Sequence, residues 1–319
     1  MKKALICGVS GQDGSYLAKF LIAKGYQVFG TSRDAQTATF SNLKKLDMLD
    51  SVKTCSMALN DFRSVLHVLN DVQPDEVYNL SGQSSVGLSF EQPVETMETI
   101  SLGTLNMLEA IRFLSKTIRF YNAGSSECFG ETTADEPADE TTRFNPRSPY
   151  AVAKCAAHWQ VATYRKAYGL FACTGILFNH ESCLRPERFA TRKIVESARR
   201  IANGAKEKLV LGNIKVIRDW GWSPEYVEAM WRILQMDKPE DFVVATGKST
   251  SLEHFVELAF AEFDLDWQRH IEIRTDLFRP LDLVQSHANP ALALKKLGWQ
   301  AKHEVGDVVR FMCSGKVDT

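Results

Sequence analysis

Tyr150 and Lys154 are the two residues of this chain whose types and spacing best suit moving a proton. They stand at i and i+4 in Ser148-Pro149-Tyr150-Ala151-Val152-Ala153-Lys154, which opens a helical pattern over 150–168, and residues so spaced share one helix face. A phenol is a poor base at its reference pKa of about 10. An ammonium at about 4 Å is worth roughly 4 kcal/mol at an effective dielectric of about 20, which is about three pKa units. That shift predicts a tyrosine near the pH where a general base works best. Alone, Tyr-x-x-x-Lys equally describes an ordinary amphipathic helix. A second element raises its weight. The apolar run 119–125 leads into Gly124-Ser125-Ser126-Glu127, which brings a hydroxyl pair and a carboxylate to a strand end. Taken in isolation, Ser-Ser-Glu also reads as a helix cap with a first-turn acid.

The elements that must position these groups are legible as alternating strands and helices. Strand patterns cover 4–9, 27–31, 52–57, 76–81 and 119–125, with helical patterns near 14–24, 61–72 and 95–114 between them, and a further apolar run over 171–178. Such alternation predicts an α/β fold, a doubly wound parallel sheet of the Rossmann type with right-handed crossovers. Beyond Asn179 the pattern loosens. It holds helical stretches near 190–203, 223–235 and 251–264, short β-like pieces (208–212, 242–246, 271–275), a terminal helix near 290–297 and a final tail that reads as frayed. The expected organisation is a nucleotide-binding domain over 1–178 and a smaller substrate lobe, mainly 179–319, that shares some chain with it.

At the first strand–helix junction stands Gly8-Val9-Ser10-Gly11-Gln12-Asp13-Gly14. Gly8 permits the tight turn, Gly11 lets backbone approach a pyrophosphate, and Gly14 allows close packing of helix on strand. The helix N-terminus offers free N–H groups to the anion. This predicts a bound dinucleotide, with Gln12 and Asp13 among its contacts. In an open α/β sheet ligands lie outside the carboxyl ends of the strands, so Ser125, Ser126 and Glu127 arrive where a nicotinamide would lie. An NAD site usually has an acid at the end of the second strand. Here that place reads Ser32-Arg33-Asp34, and a guanidinium and hydroxyl suit a 2′-phosphate, which favours NADP over NAD.

Composition narrows the remaining classes. Charged residues make up 24%, and the formal net charge is −1, which offers no electrostatic footprint for nucleic acid. Seven cysteines are scattered without a Cys-x-x-Cys or metal-ligand spacing, which suits a reducing compartment. No apolar run approaches the length of a membrane span, and the amino terminus lacks the pattern of a signal peptide. A cytoplasmic protein is expected, with no metal.

The segments GVSGQDGSYL, SSECFG, SPYAVAK, GILFNHES, TRK (191–193) and RDWG (218–221) together resemble, in order and spacing and over nearly the whole chain, the GDP-mannose 4,6-dehydratases of the extended short-chain dehydrogenase/reductases. The resemblance implies an internal redox cycle on a GDP-sugar. Tyr150 would deprotonate the sugar 4-OH as hydride leaves C4, Glu127 would take the C5 proton as water leaves C6, and hydride would return to C6. Ser125 would bond the developing C4 oxygen, Ser126 would lie beside the sugar, and Lys154 would lower the Tyr150 pKa and hold the cofactor ribose. It further implies cofactor contacts from Leu80, Ser81, Gln83, Ser84, His180 and Arg185. Sugar-nucleotide contacts would come from Ser84, Asn179, Lys193, Arg218 and Arg279, and assembly as a homodimer or homotetramer, with the helix at 95–114 in the interface. This chain departs from the family at Arg33-Asp34 (paired arginines), Ala58 (aspartate), Ser85 (histidine), Glu95 and Phe129 (tyrosines), and Trp222-Ser223-Pro224-Glu225, where the family reads roughly His-Ala-Lys-Asp. Three rivals stand beside this reading. One is the dehydratase of a related GDP-sugar such as a GDP-heptose. Another is a nucleotide-sugar 4-reductase or epimerase, which has no need of a C5 base such as Glu127. The third is a non-catalytic NADP-binding regulator, a type that typically loses the Tyr or the Lys.

Overall fold

A computed structural model describes residues 1–114, 117–278 and 280–317 of the chain. Strands β1 (Lys3–Cys7), β2 (Gln27–Ser32), β3 (Val52–Ser56), β4 (Glu76–Asn79), β5 (Arg119–Ala123) and β6 (Ala172–Leu177) lie side by side in the order β3-β2-β1-β4-β5-β6, all parallel. That is the doubly wound order of a dinucleotide-binding fold. The interior strands are buried on both faces, as an all-parallel sheet requires. Ala4, Leu5, Ile6 and Cys7 are wholly enclosed. Their side chains alternate: Ala4 and Ile6 join one cluster with Tyr78 and Tyr121, while Leu5 and Cys7 join another with Val77 and Phe120.

In the first half the helices are α1 (Gln12–Ala23), α2 (Ser41–Lys45), α3 (Phe62–Val72), α4 (Val86–Glu91), α5 (Pro93–Met97), α6 (Gly103–Leu114) and α7 (Pro149–Tyr168). The single helix expected over 95–114 is instead α5 and α6 joined by a π turn, Glu98–Leu102. Gly103 sits at the join, where a Cβ would stand 3.0 Å from the Leu59 side chain.

The rest of the chain contributes β7 (Asn179–Glu181), β8 (Leu209–Leu211), β9 (Ile217–Trp222), β10 (Phe242–Val244), β11 (Ser249–Ser251) and β12 (Ile271–Ile273), with α8 (Ala190–Ala202), α9 (Ser223–Gln235), α10 (Leu252–Ala261), α11 (Ala291–Leu297) and α12 (Val305–Ser314). β7, β9 and β11 form one small sheet, and β8 pairs with β12. A separate core fills this lobe, with Ile194 and Val195 of α8, Phe255 and Val256 of α10, and Val308 and Met312 of α12.

Three expectations need correction here. The run at 242–246 is not part of the lobe: β10 pairs in parallel with β6 and extends the main sheet to seven strands. Residues 305–314 form a helix, with Glu304 and Asp307 in a reciprocal capping box, so the helix at 290–297 is not the last one. The tail is held, since the Tyr16 hydroxyl donates to the Val317 carbonyl at 3.2 Å and Val317 packs on both main cores.

Candidate active site

The cleft lies outside the carboxyl ends of β1, β4, β5 and β6, between the main sheet and the lobe. Its floor includes Ser125, Ser126, Glu127, Tyr150 and Lys154, so the sequence-expected catalytic set converges. Local rules explain how. Ser148 caps α7, its Oγ accepting the Ala151 N–H at 3.1 Å. Pro149 occupies the first turn, and Gly169 closes the helix at φ +67°. Tyr150 and Lys154 then face inward together, both largely buried. The Lys154 ammonium donates to the Ala123 carbonyl at 2.7 Å, which stitches α7 to the end of β5. Ser125 begins the turn Ser126–Cys128, its Oγ accepting the Glu127 N–H at 3.3 Å.

The expected lowering of the tyrosine by its lysine is not what the protein alone provides. Burial pushes the Tyr150 phenol up; a hydrogen bond with Ser125 favours the phenolate but does not outweigh that. The Lys154 ammonium is committed to Ala123 and stands 5.7 Å from the centre of the phenol ring. Burial also pushes Lys154 down, to about 8, against the opposing pull of Cys128 and Asp13.

The glycine loop has the geometry of an anion cradle. Gly8 sits at φ +84°, where a Cβ would lie 3.0 Å from the Leu80 carbonyl, and a Cβ on Gly14 would meet the Gly8 carbonyl at 2.3 Å. Gly11 precedes α1, and no side chain caps it, so the first N–H groups of the helix have no side-chain acceptor competing for them. A dinucleotide fits this arrangement. The side chains of Gln12 and Asp13, however, turn toward the lobe. Gln12 Oε1 accepts from the Ser182 hydroxyl at 2.8 Å, and its amide donates to the His180 carbonyl at 3.1 Å. Asp13 Oδ2 lies 2.9 Å from His180 Nε2, and its Oδ1 accepts from Ser223 at 2.8 Å. Arg185 forks onto Glu181 at 2.7 and 3.2 Å and also donates to the His180 carbonyl.

Of the other expected residues, Leu80, Ser84, Asn179 and Arg218 line the cleft. The Arg218 guanidinium is buried and donates to the carbonyls of Ile217 and Leu283, both at 2.9 Å, with Asp282 at 3.4 Å. Ser81 lies in the same run as Leu80 and is half-buried. The Gln83 amide is pinned within that run: it donates to the Ser85 carbonyl at 2.8 Å, and its oxygen accepts the Ser85 N–H. Ser32 ends β2, followed by Arg33, whose side chain is exposed and 3.8 Å from Glu95. Asp34 is spent on its own turn, accepting the N–H groups of Gln36 and Thr37. Lys193 donates to the Val210 carbonyl at 2.7 Å and is not in the cleft wall. Arg279 lies outside the described residues. Among the described residues no cluster of His, Cys, Asp or Glu could hold a metal ion, and no helix is long and apolar enough to cross a membrane.

Sequence reading missed Ser223 and the ion pairs around Asp13. Nothing in the local pattern signals a partner so far along the chain, though Ser223 does occupy a position where the chain departs from the family it resembles.

A family model described as GDP-mannose 4,6 dehydratase matches residues 5–312. The GDP-mannose 4,6 dehydratase 1 of Arabidopsis thaliana is 44% identical over 321 residues, covering 98% of this chain and 88% of that protein. Among solved structures, Thermus thermophilus UDP-glucose 4-epimerase in complex with NAD superposes with a TM-score of 0.86 at 24% identity, covering 98% of each chain. The RMD protein of Pseudomonas aeruginosa complexed with NADPH superposes at 0.80 with 22% identity, over 99% of this chain and 98% of that one.

Proposed function

The chain belongs to the GDP-mannose 4,6-dehydratase family, and from that membership we infer its reaction: it is a hydro-lyase that converts GDP-mannose to GDP-4-keto-6-deoxy-mannose and water. The observation that carries this reading is Glu127 in one cleft with Ser125, Tyr150 and Lys154. A carboxylate in that place suits a reaction in which a carbon acid loses a proton, a step that a 4-reductase or 4-epimerase does not have.

The residues then take successive roles. Tyr150 accepts the proton of the sugar 4-OH, with Ser125 bonded to the same oxygen. A nicotinamide held over the glycine loop would supply a two-electron acceptor and donor, so that oxidation at C4 and reduction at C6 cancel. The C4 ketone acidifies the C5 proton, which Glu127 removes and passes to the departing C6 hydroxyl, releasing water. Solvent reprotonates C5, matching the proton that Tyr150 took. Lys154, whose ammonium lies 5.7 Å from the centre of the phenol ring, would hold the cofactor ribose and favour the phenolate.

NADP is the cofactor of this reading, preferred over NAD. Its support is Ser32 and Arg33 at the end of β2, together with an Asp34 whose carboxylate is tied into its own turn and so does not face a ribose 2′-OH. Leu80, Ser81, Gln83, Ser84 and the loop Gly8–Gly14 would complete the cofactor site. Asn179, Arg218 and Arg279 would hold the sugar diphosphate; Lys193 would have to leave the Val210 carbonyl to join them. Cytoplasmic residence belongs to the same reading. So does a homodimer, through the outward apolar side chains of α5 to α7, where Val94, Phe113 and Trp159 are 68%, 74% and 59% exposed.

The test is incubation with GDP-mannose and catalytic NADP in D2O, with the product examined by mass spectrometry. Loss of water with one deuteron at C5 and no net cofactor reduction is expected. Substrate recovered with an inverted centre, or net consumption of reduced cofactor, would instead establish an epimerase or reductase.

A further inference from the structure

Where the glycine loop touches β7, a half-buried carboxylate meets three donors, with the buried His180 and the half-buried Arg185 as its cationic neighbours. Asp13 is the second residue of α1, and its oxygens accept from His180 Nε2 at 2.9 Å, Gln12 Nε2 at 3.0 Å and Ser223 Oγ at 2.8 Å. The other ring nitrogen of His180, Nδ1, lies 2.7 Å from the Phe178 carbonyl. A neutral imidazole carries one N–H and can satisfy only one of two acceptors. Two acceptors at hydrogen-bond distance require the imidazolium. The groups facing it are Asp13 from α1, Arg185 and Glu181 from its own strand and the turn after it, and the Tyr226 ring from α9, stacked at 4.5 Å. His180 pairs with Gly221 of β9, and Asn179 before it pairs with Trp220. Successive residues of a strand point to opposite sides. Fixing His180 against α1 therefore fixes Asn179 toward the cleft.

We propose that Asp13, braced by Ser223, is a positioning residue for this reaction: it acts through a permanently charged His180 to set β7 and Asn179 at a fixed distance from the glycine loop. With both ring N–H groups consumed inside the protein, His180 has none left for a cofactor. The electrostatics agree with the geometry. Burial opposes the charge on His180, yet Asp13 holds it above its ordinary value. Burial likewise works against Asp13, and the neighbouring His180 and Arg185 still hold its carboxyl well below the usual range.

The inference rests on the dehydratase reading only for its kinetic test, so a second measurement stands apart from it. In the full chain, the 15N shifts of the His180 ring, assigned by their loss in His180→Gln, should report a doubly protonated imidazole at about pH 8, where an ordinary histidine is neutral. In Asp13→Asn the same ring should be neutral there and protonate only on acidification. The kcat/KM of Asp13→Asn for GDP-mannose should fall about 10- to 100-fold near pH 8, with part of the loss in KM because Asn179 holds the diphosphate in the ground state too, and should partly recover toward about pH 6 as the ring regains its proton. Ser223→Ala, which keeps both charges, should lose only about 2- to 5-fold in kcat and keep the charged ring. A His180 that titrates near its ordinary value in the wild-type chain overturns the proposal, as does a wild-type pH profile in a folded Asp13→Asn. If Asp13→Asn does not fold, the wild-type ring shifts and Ser223→Ala still decide the matter. If the wild-type chain leaves GDP-mannose unchanged, the ring shifts test the tie alone.

Discussion

The two ends of the seven-stranded sheet each hold one acid surrounded by donors, wholly buried at one end and half-buried at the other, and they use it differently. At the amino end Glu76, wholly buried at the start of β4, accepts from Lys2 at 3.0 Å, Tyr26 at 3.0 Å, Tyr78 at 2.8 Å and Gln235 at 3.2 Å. The cation among these is half in solvent, the Lys2 side chain being 51% exposed, and the other donors are neutral. At the carboxyl end Asp13 has the charged neighbours His180 and Arg185 and also supports Lys154. The first acid cross-links the frame, tying the residues just before β1 and β2 to β4 and α9. The second gathers charge beside the cleft, where the helix N-termini of a parallel sheet point. The same device serves cohesion at one end and chemistry at the other.

Substitutions at the two ends should therefore separate activity from stability. The largest effect belongs to the carboxyl end. Glu127→Gln should lower dehydration about 10²- to 10⁴-fold while slow hydride exchange at C4 persists, and Tyr150→Phe should abolish both. Equal loss of both activities in Glu127→Gln would assign Glu127 a structural role. At the amino end, Glu76→Ala should cost about 3–5 kcal/mol in denaturant unfolding, with kcat per folded molecule unchanged; a selective loss of kcat would erase the contrast. An intermediate effect concerns pH. Burial holds Lys154 at about 8, below the ordinary value of a lysine, so its ammonium persists below about 8 and is lost as pH rises through it. An alkaline limb of kcat/KM should be centred there, for the free enzyme governs that parameter, and Lys154→Met should lack it. The smallest effect is at Ser148, which stands beside the chemistry but serves the frame. Ser148→Ala should cost about 1 kcal/mol of stability and leave kcat within about twofold, and a larger kinetic loss would show that the cap aims Tyr150.

The parts of this architecture legible in the sequence are those governed by short-range rules. The glycine loop, the period of the strands, the capped start of α7 and the i, i+4 placement of Tyr150 and Lys154 all depend on neighbours in the chain. What escaped depends on distant partners. The Tyr150 phenol is raised because it is buried, and its lysine has found the Ala123 carbonyl; neither fact is written in Tyr-x-x-x-Lys. The His180–Asp13 pair spans 167 positions. Lys193, basic and well placed in its motif, spends its charge on Val210. The run at 242–244 looks like any short strand until β6 supplies its partner.

That last pairing governs how the protein is made. Strand β6 has β5 along one edge, and its other edge waits for β10, with α9 lying between them in the chain. A ribosome that has released only residues through 178 has therefore produced six strands and an open flank, of the kind that recruits other chains. The flank closes once α9 and Phe242–Val244 emerge, and Val317 later adds a residue that packs on both cores and accepts from Tyr16. Residues 1–178 and the remainder of the chain are thus not modules that evolution or an engineer can exchange at a single seam. A cut at residue 178 leaves the first half with a sticky edge, and the second half keeps the strand that would have sealed it.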